Sequence, residues 1–162
     1  MSGGTFVEIN LTTQSLKLFM NDKLQRAYLI STSLNGPGEL MGSECTPRGL
    51  HAVAEMIGEG QNLNTVFFGR TVTGESYTTL VAEKFPERDW ILTRLIWLKG
   101  LESGRNLGGN CDTQARYIYI HGTPDEAGLG KVGSHGCIRM SNNDVVELFD
   151  CISINTRVNI CT

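Results

Sequence analysis

The chain has 162 residues, 40% hydrophobic and 19% charged, with a net charge of −3 and a pI near 5.6. A domain of this length buries roughly 70% of the surface its unfolded chain exposes, so one domain over residues 1–162 is expected, needing neither disulfides nor metal for stability. Nothing in the charge pattern forms a basic stripe, so nucleic acid is not an expected partner, and no apolar run approaches the ~18 residues of a membrane span.

In chain order, the first thirty residues read as a meander. "TFVEINL" and "SLKLFM" alternate apolar and polar residues as half-buried strands do. Asn21-Asp22 makes a turn into a third strand, "LQRAYLIST". A Gly- and Pro-rich loop, "SLNGPGELMGSECTPRG", follows, then a strand in "LHAVAEMIG". "DWILTRLIWL" is near-continuously apolar and is assigned as a buried strand closed by Gly100, and "ARYIYIHG" is a strand ending at His121. Past the loop "TPDEAGLGKVG", Ser141 and Asp144 have the spacing of a capping box, opening a helix with its apolar face at Val145, Leu148, Phe149 and Ile152. "TRVNICT" is the final strand. The pattern is mainly β with few helices, so an antiparallel or mixed sheet is expected rather than a doubly wound one.

The stretch "KVGSHGCIRMSNND" (131–144) concentrates the chemistry. A thiol is a nucleophile only as thiolate, which a nearby imidazolium or oriented peptide dipole makes available near neutral pH. His135 lies two residues before Cys137, and the loop after His121 is long enough to return it beside the thiol. Gly136 is expected to leave room for a substrate backbone, with the N–H groups of Gly136 and Cys137 free for an oxyanion. The residue types alone leave three readings of Cys137 open: nucleophile, small buried thiol, or zinc ligand with the two histidines. No acid or second Cys stands at ligand spacing beside them.

Several segments together resemble the YkuD-type L,D-transpeptidase catalytic domain family: "YIYIHGT" (117–123), "LGKVGSHGCIRMSNNDVVELFD" (129–150) and "NTRVNI" (155–160), with "CTPRGLHAV" (45–53) similar to an upstream Thr-Pro-x-Gly element. The resemblance implies a β-rich domain, mixed sheet or sandwich, with one helix after the catalytic Cys. It implies cysteine acyl transfer on peptidoglycan tetrapeptide stems, cut between the L-centre of the diamino acid and the terminal D-Ala. Cys137 is then the nucleophile, His121 its general base or ion-pair partner, and His135 an auxiliary that lines the site. The Gly122 carbonyl orients the base, and Gly136 and Cys137 N–H groups hold the oxyanion. No acid is demanded, so Asp125 and Glu126 are read as solvated loop residues. Arg139 either contacts a substrate carboxylate or pairs with Asp144 or Glu147. Ser134 is read as a turn hydrogen bond, Thr123 and Tyr119 as cleft or core residues, and His51 as incidental. No metal or cofactor is expected; the partner is a stem peptide or muropeptide, with no nucleic acid and no membrane.

If water resolves the acyl-enzyme, the activity is an L,D-carboxypeptidase making tripeptide; if an amine does, it is a cross-linking or D-amino-acid-exchanging transpeptidase. A non-catalytic wall-peptide binding module is a further alternative. Five cysteines, an odd number, and a start without a basic-then-apolar leader point to a reducing compartment. The favoured expectation is thus a carboxypeptidase of cytoplasmic muropeptide recycling, with the periplasm or envelope as the alternative if the native chain is longer.

Overall fold

The computed structural model describes residues 4–162. Ten strands form one mixed sheet. Strand β1 (Thr5–Asn10) pairs antiparallel with β2 (Ser15–Met20), and β2 with β3 (Lys23–Leu29). The side chain of Asn10 accepts the N–H groups of Thr12 and Thr13 to turn the first corner. Asn21 and Asp22 both take positive φ (53° and 64°) at the second, as the two-residue turn that matches strand twist requires.

Strand β4 (Gly49–Ile57) leads to the hairpin of β5 (Thr65–Phe68) and β6 (Thr71–Ser76), then to the short helix α1 (Thr79–Lys84). The hairpin and α1 were not anticipated from sequence: β6 and α1 have no buried residue and so no apolar period to read. The long strand β7 (Ile91–Gly100) pairs with β4, β5 and β8 (Tyr119–Thr123). Its apolar run reflects this central position, buried on both faces. Strand β9 (Ile138–Ser141) lies parallel to β8, and α2 (Asn142–Cys151) follows directly.

Strand β10 (Arg157–Cys161) lies between β1, to which it is parallel, and β4, to which it is antiparallel. The order is β3-β2-β1-β10-β4-β7-β5-β6, with β8 and β9 branching from β7. The fold is thus mainly β, with two α-helices on a mixed sheet, as the sequence implied. The core fills with alternate residues of these strands, including Val7, Ile9, Ile96, Leu98, Ile118, Ile120, Val158 and Ile160, closed by Val145, Leu148 and Phe149 of α2. Ser141 caps α2 by accepting the Asp144 N–H at 3.1 Å.

Strand β7 carries one irregularity that bears on function. Its register with β8 shifts between Leu92 and Leu95, and Thr93 sits at φ +74°, a strained conformation for a β-branched residue. A buried network pins it: Thr93 Oγ1 donates to Asn142 Oδ1 (2.7 Å) and accepts the Asn64 N–H (3.1 Å), while Asn142 Nδ2 donates to Asn64 Oδ1 (2.9 Å).

Candidate active site

The parallel register sets His121 of β8 opposite Arg139 of β9. Cys137 ends the loop that enters β9, level with Tyr119. Its side chain is bracketed by β8 backbone: the thiol donates to the Tyr117 carbonyl (3.5 Å) and its sulfur accepts the Tyr119 N–H (3.4 Å). The sulfur thus occupies main-chain groups that β9 leaves unpaired.

His121 is buried. Its Nδ1 lies 2.8 Å from the Gly122 carbonyl oxygen. A carbonyl only accepts, so Nδ1 carries the proton and Nε2 presents a lone pair. That Nε2 is buried with no hydrogen-bond partner among the described residues. Gly122 permits the arrangement sterically: a Cβ there would come within 2.6 Å of the Leu92 carbonyl oxygen on the β7 irregularity and would also strike Asn142 Oδ1.

The turn before the nucleophile is tightly braced. Ser134 Oγ donates to the Cys137 carbonyl (2.6 Å) and accepts the Gly136 N–H (3.2 Å). Ser134 thus hydrogen-bonds within the turn, and the Gly136 N–H is directed at its hydroxyl. Gly136 has φ +128°, its carbonyl accepts from Thr46 Oγ1 (2.9 Å), and a Cβ would press on the Cys45 carbonyl and Ile118. A side chain at Gly136 would thus be both strained and crowded.

Arg139 pairs with neither Asp144 nor Glu147. Its guanidinium donates to Asp89 Oδ1 at 2.8 Å and to the Gly133 carbonyl, whereas Glu147 receives Arg26 and the Tyr28 hydroxyl. Asp89 Oδ2 lies 3.7 Å from Nδ1 of His135, which is largely exposed. These three residues line a cleft of about 360 Å³ with Pro86, Arg88, Trp90, Thr123 and Asp125; neither Cys137 nor His121 is among its lining residues. Thr123 Oγ1 accepts the Asp125 N–H, while Asp125 and Glu126 are exposed.

Sequence reasoning missed Asp89 and Arg116. Arg116 spends its donors on the Gly38 and Cys45 carbonyls and Ser43 Oγ, tying the Gly-rich loop to the approach to β8. Both act on the thiol through space, from positions that no motif spacing marks. His51 lies apart from the site, buried between the Gly49 carbonyl (Nδ1, 3.0 Å) and Thr113 Oγ1 (Nε2, 2.9 Å).

Burial dominates the electrostatics. It pushes the Cys137 thiol up to about 12, against the Tyr119 N–H and the cations Arg139 and Arg116, which pull it down; Asp89 adds to the rise. Burial also holds His121 below the usual imidazole value, opposed by its bond to Gly122. Both shifts run toward the uncharged forms of the thiol and the imidazole. Among the described residues no three His, Cys, Asp or Glu side chains are grouped to hold a metal ion.

A mixed sheet that holds a buried imidazole on one strand, and a thiol just before the parallel strand beside it, has the layout of a cysteine nucleophile with its base. The sequence model of YkuD, the L,D-transpeptidase catalytic domain, matches residues 4–160, and the chain belongs to that family of cysteine-dependent, peptidoglycan-related enzymes. Over 160 residues it is 28% identical to "Putative L,D-transpeptidase YqjB" of Bacillus subtilis (strain 168), covering 99% of this chain and 73% of the relative. A 41-residue stretch is 54% identical to "Putative L,D-transpeptidase YkuD" of the same organism, covering 25% of each.

Among solved structures, an L,D-transpeptidase from Mycobacterium smegmatis matches with a TM-score of 0.60 at 16% identity, over 96% of this chain and 58% of that one. L,D-transpeptidase 3 from Mycobacterium tuberculosis, in complex with a faropenem-derived adduct, matches with a TM-score of 0.61 at 13% identity, over 98% and 60%. The chain spans less than two thirds of these solved chains, and likeness at such identity shows the fold.

Proposed function

We propose that this chain opens the L,D peptide bond before the terminal D-Ala of a peptidoglycan tetrapeptide stem, with Cys137 as nucleophile and water as final acceptor. This makes it an L,D-carboxypeptidase of cytoplasmic muropeptide recycling. The observation that carries the acyl-transfer reading is the His121 imidazole: buried, oriented through Nδ1, its Nε2 unpartnered and one strand from Cys137. Nε2 takes the thiol proton as sulfur attacks the carbonyl of the diamino acid. The Tyr119 N–H stabilises the sulfur charge, and the Cys137 N–H the tetrahedral oxyanion. The imidazolium returns the proton to the departing amine, the amide breaks, D-Ala leaves and a thioester remains. Nε2 then deprotonates a water that splits the thioester, restoring the thiol and releasing tripeptide. His135 and Arg139 serve at the cleft mouth, where the remaining stem would lie.

Water as acceptor is supported by the five free thiols, which suit a reducing compartment. The second reading, an amine acceptor, is favoured by the names of the relatives, all transpeptidases. The test is product analysis with a defined tetrapeptide, alone and with excess D-methionine. A carboxypeptidase releases D-Ala and accumulates tripeptide in both tubes; dominant D-methionine exchange or dimer formation assigns the transpeptidase. Turnover by Cys137→Ala, or none by the wild type, overturns the acyl-transfer reading; the latter is what a binding module would give.

A further inference from the structure

The cations around the thiol are not equivalent. Arg139 is neutralised by Asp89. Arg116 is committed to two carbonyls and a hydroxyl, and Arg88 lies 3.7 Å from Glu75. Arg70 differs. It sits at the tip of the β5–β6 hairpin, in a turn where Gly69 and Arg70 both have positive φ (55° and 67°). The hairpin carries its guanidinium onto an aromatic seat, 4.7 Å from the Trp97 ring centroid and 5.0 Å from that of Tyr117. One nitrogen, Nη1, donates to the Tyr119 hydroxyl at 3.2 Å. Among the described residues Arg70 has no carboxylate within ion-pair distance and no other hydrogen-bond acceptor, Glu55 acting on it only through space, and it is half-exposed. A guanidinium stacked on rings and anchored by one donor is held still while its other donors face outward.

The seat is also the wall of the reaction centre. Trp97 stands opposite Tyr119 in the β7–β8 register, with ring centroids 5.9 Å apart. Tyr119 spans the interval to the nucleophile: its hydroxyl receives Arg70 and its backbone N–H reaches Cys137 Sγ. Tyr117 is likewise shared, its ring under Arg70 and its carbonyl on the thiol. The cation is therefore linked to the sulfur through the length of Tyr119 and a hydrogen bond at each end. That is too far for the carboxylate of the departing D-amino acid, two bonds beyond the scissile nitrogen. It is within range of an acidic group several bonds back along the acyl donor.

Resting on the acyl-transfer reading above, we propose that Arg70, seated on Trp97, Tyr117 and Tyr119, is a carboxylate subsite that holds a remote carboxylate of the acyl-donor peptide while Cys137 attacks. Two carboxylates of a stem peptide qualify: one ending the side chain of a diaminopimelate-type third residue, and the free carboxylate of the preceding glutamate. Both would be read by the same paired N–H donors.

The experiment compares wild type, Arg70→Ala and Arg70→Lys on four tetrapeptides: one with both carboxylates free, one amidated at the third-residue side chain, one amidated at the glutamate, and one with lysine in third position. Arg70→Ala should raise KM for the fully acidic peptide about tenfold or more, the scale of one lost charge-assisted hydrogen bond, with kcat little changed and the melting temperature unmoved. Arg70→Lys should fall between. The carboxylate read by Arg70 is the one whose amidation raises wild-type KM by a similar factor and abolishes the effect of Arg70→Ala. An equal loss on all four peptides would make Arg70 structural and overturn the subsite, as would no loss on any. If wild type cleaves none of them, the acyl-transfer reading fails and the subsite with it, an outcome distinct from the other two.

Discussion

At the scale of single residues, burial shifts both the Cys137 thiol and the His121 imidazole toward their uncharged forms, and on the proposed reading His121 is the base. Proton transfer from sulfur to Nε2 of His121 must then accompany attack, and the base works only unprotonated. The kcat/KM profile should accordingly lose activity on its acid side with a midpoint below the ordinary histidine value of about 6.5, because burial holds His121 down. His121→Ala should cost about 10²–10⁴-fold. An acid limb above pH 7, or a full effect from His135→Ala with none from His121→Ala, would reverse the assignment of the base.

His51 gives a separable stability effect. Burial lowers its pKa to about 4, so between pH 6.5 and 4 the unfolded chain binds a proton there that the folded chain refuses. The unfolded state binds more protons, so stability falls as pH drops through that window, by about 3 kcal/mol in all. Urea denaturation at pH 7 and pH 4.5 should show this loss in wild type and a smaller one in His51→Gln.

Cys137, His121 and His135 could be singled out from sequence as candidates because a thiol and two imidazoles fall in two short motifs. Asp89, Arg116 and Arg70 were not. Arg70 and Asp89 lie more than 30 residues before His121 and Arg116 lies 21 before Cys137, and an isolated Asp or Arg in a loop carries no spacing to read.

At the scale of elements, the separation of base from nucleophile is a property of the sheet. Strands β8 and β9 are parallel neighbours, and their register sets His121 beside Arg139 and brings the end of the loop before β9, where Cys137 lies, level with Tyr119. The irregularity in β7 supports this from behind by pressing the Leu92 carbonyl and Asn142 against Gly122. Gly122→Ala should displace the carbonyl that orients His121. The expected result is a fall in kcat of tenfold or more, while Cys137 still alkylates with iodoacetamide; unchanged kcat would remove the bulge from the positioning account.

The strands of alternating or continuous apolar pattern, β1, β2, β4, β7, β8 and β10, were found from sequence within a few residues. The β5–β6 hairpin was missed because β6 is exposed along its length. Strand β9 was missed because four residues, directly followed by a helix, leave room for little more than one alternation.

At the scale of the whole molecule, the sheet is joined at its middle by β10. Val158 and Ile160 are fully buried there, between β1 on one side and β4 on the other. Ile160→Ala should cost about 2–5 kcal/mol by urea denaturation, as deep core truncations do. Ile154→Ala, at a position 56% exposed, should stay within about 0.5 kcal/mol. Similar losses at both positions would mean that β10 is not the join described. The mixed connectivity was legible only as a class. Parallel pairing of the first and last strands leaves no local trace, since each strand alternates the same way whichever neighbour it meets.

That join has a consequence in time. During synthesis the β1–β2–β3 meander is made well before β10, and its β1 edge waits, unpaired and apolar on one face, for that strand. Strand β4 waits on the other side, and the β7–β8–β9 layer that bears Cys137 and His121 is tied to the meander's half of the sheet through β4 and β10. The β1 and β4 edges are therefore both made before the strand that pairs with them. Closure is a single late event across the greatest sequence separation the fold contains, the kind of contact that slows folding and exposes edges to aggregation.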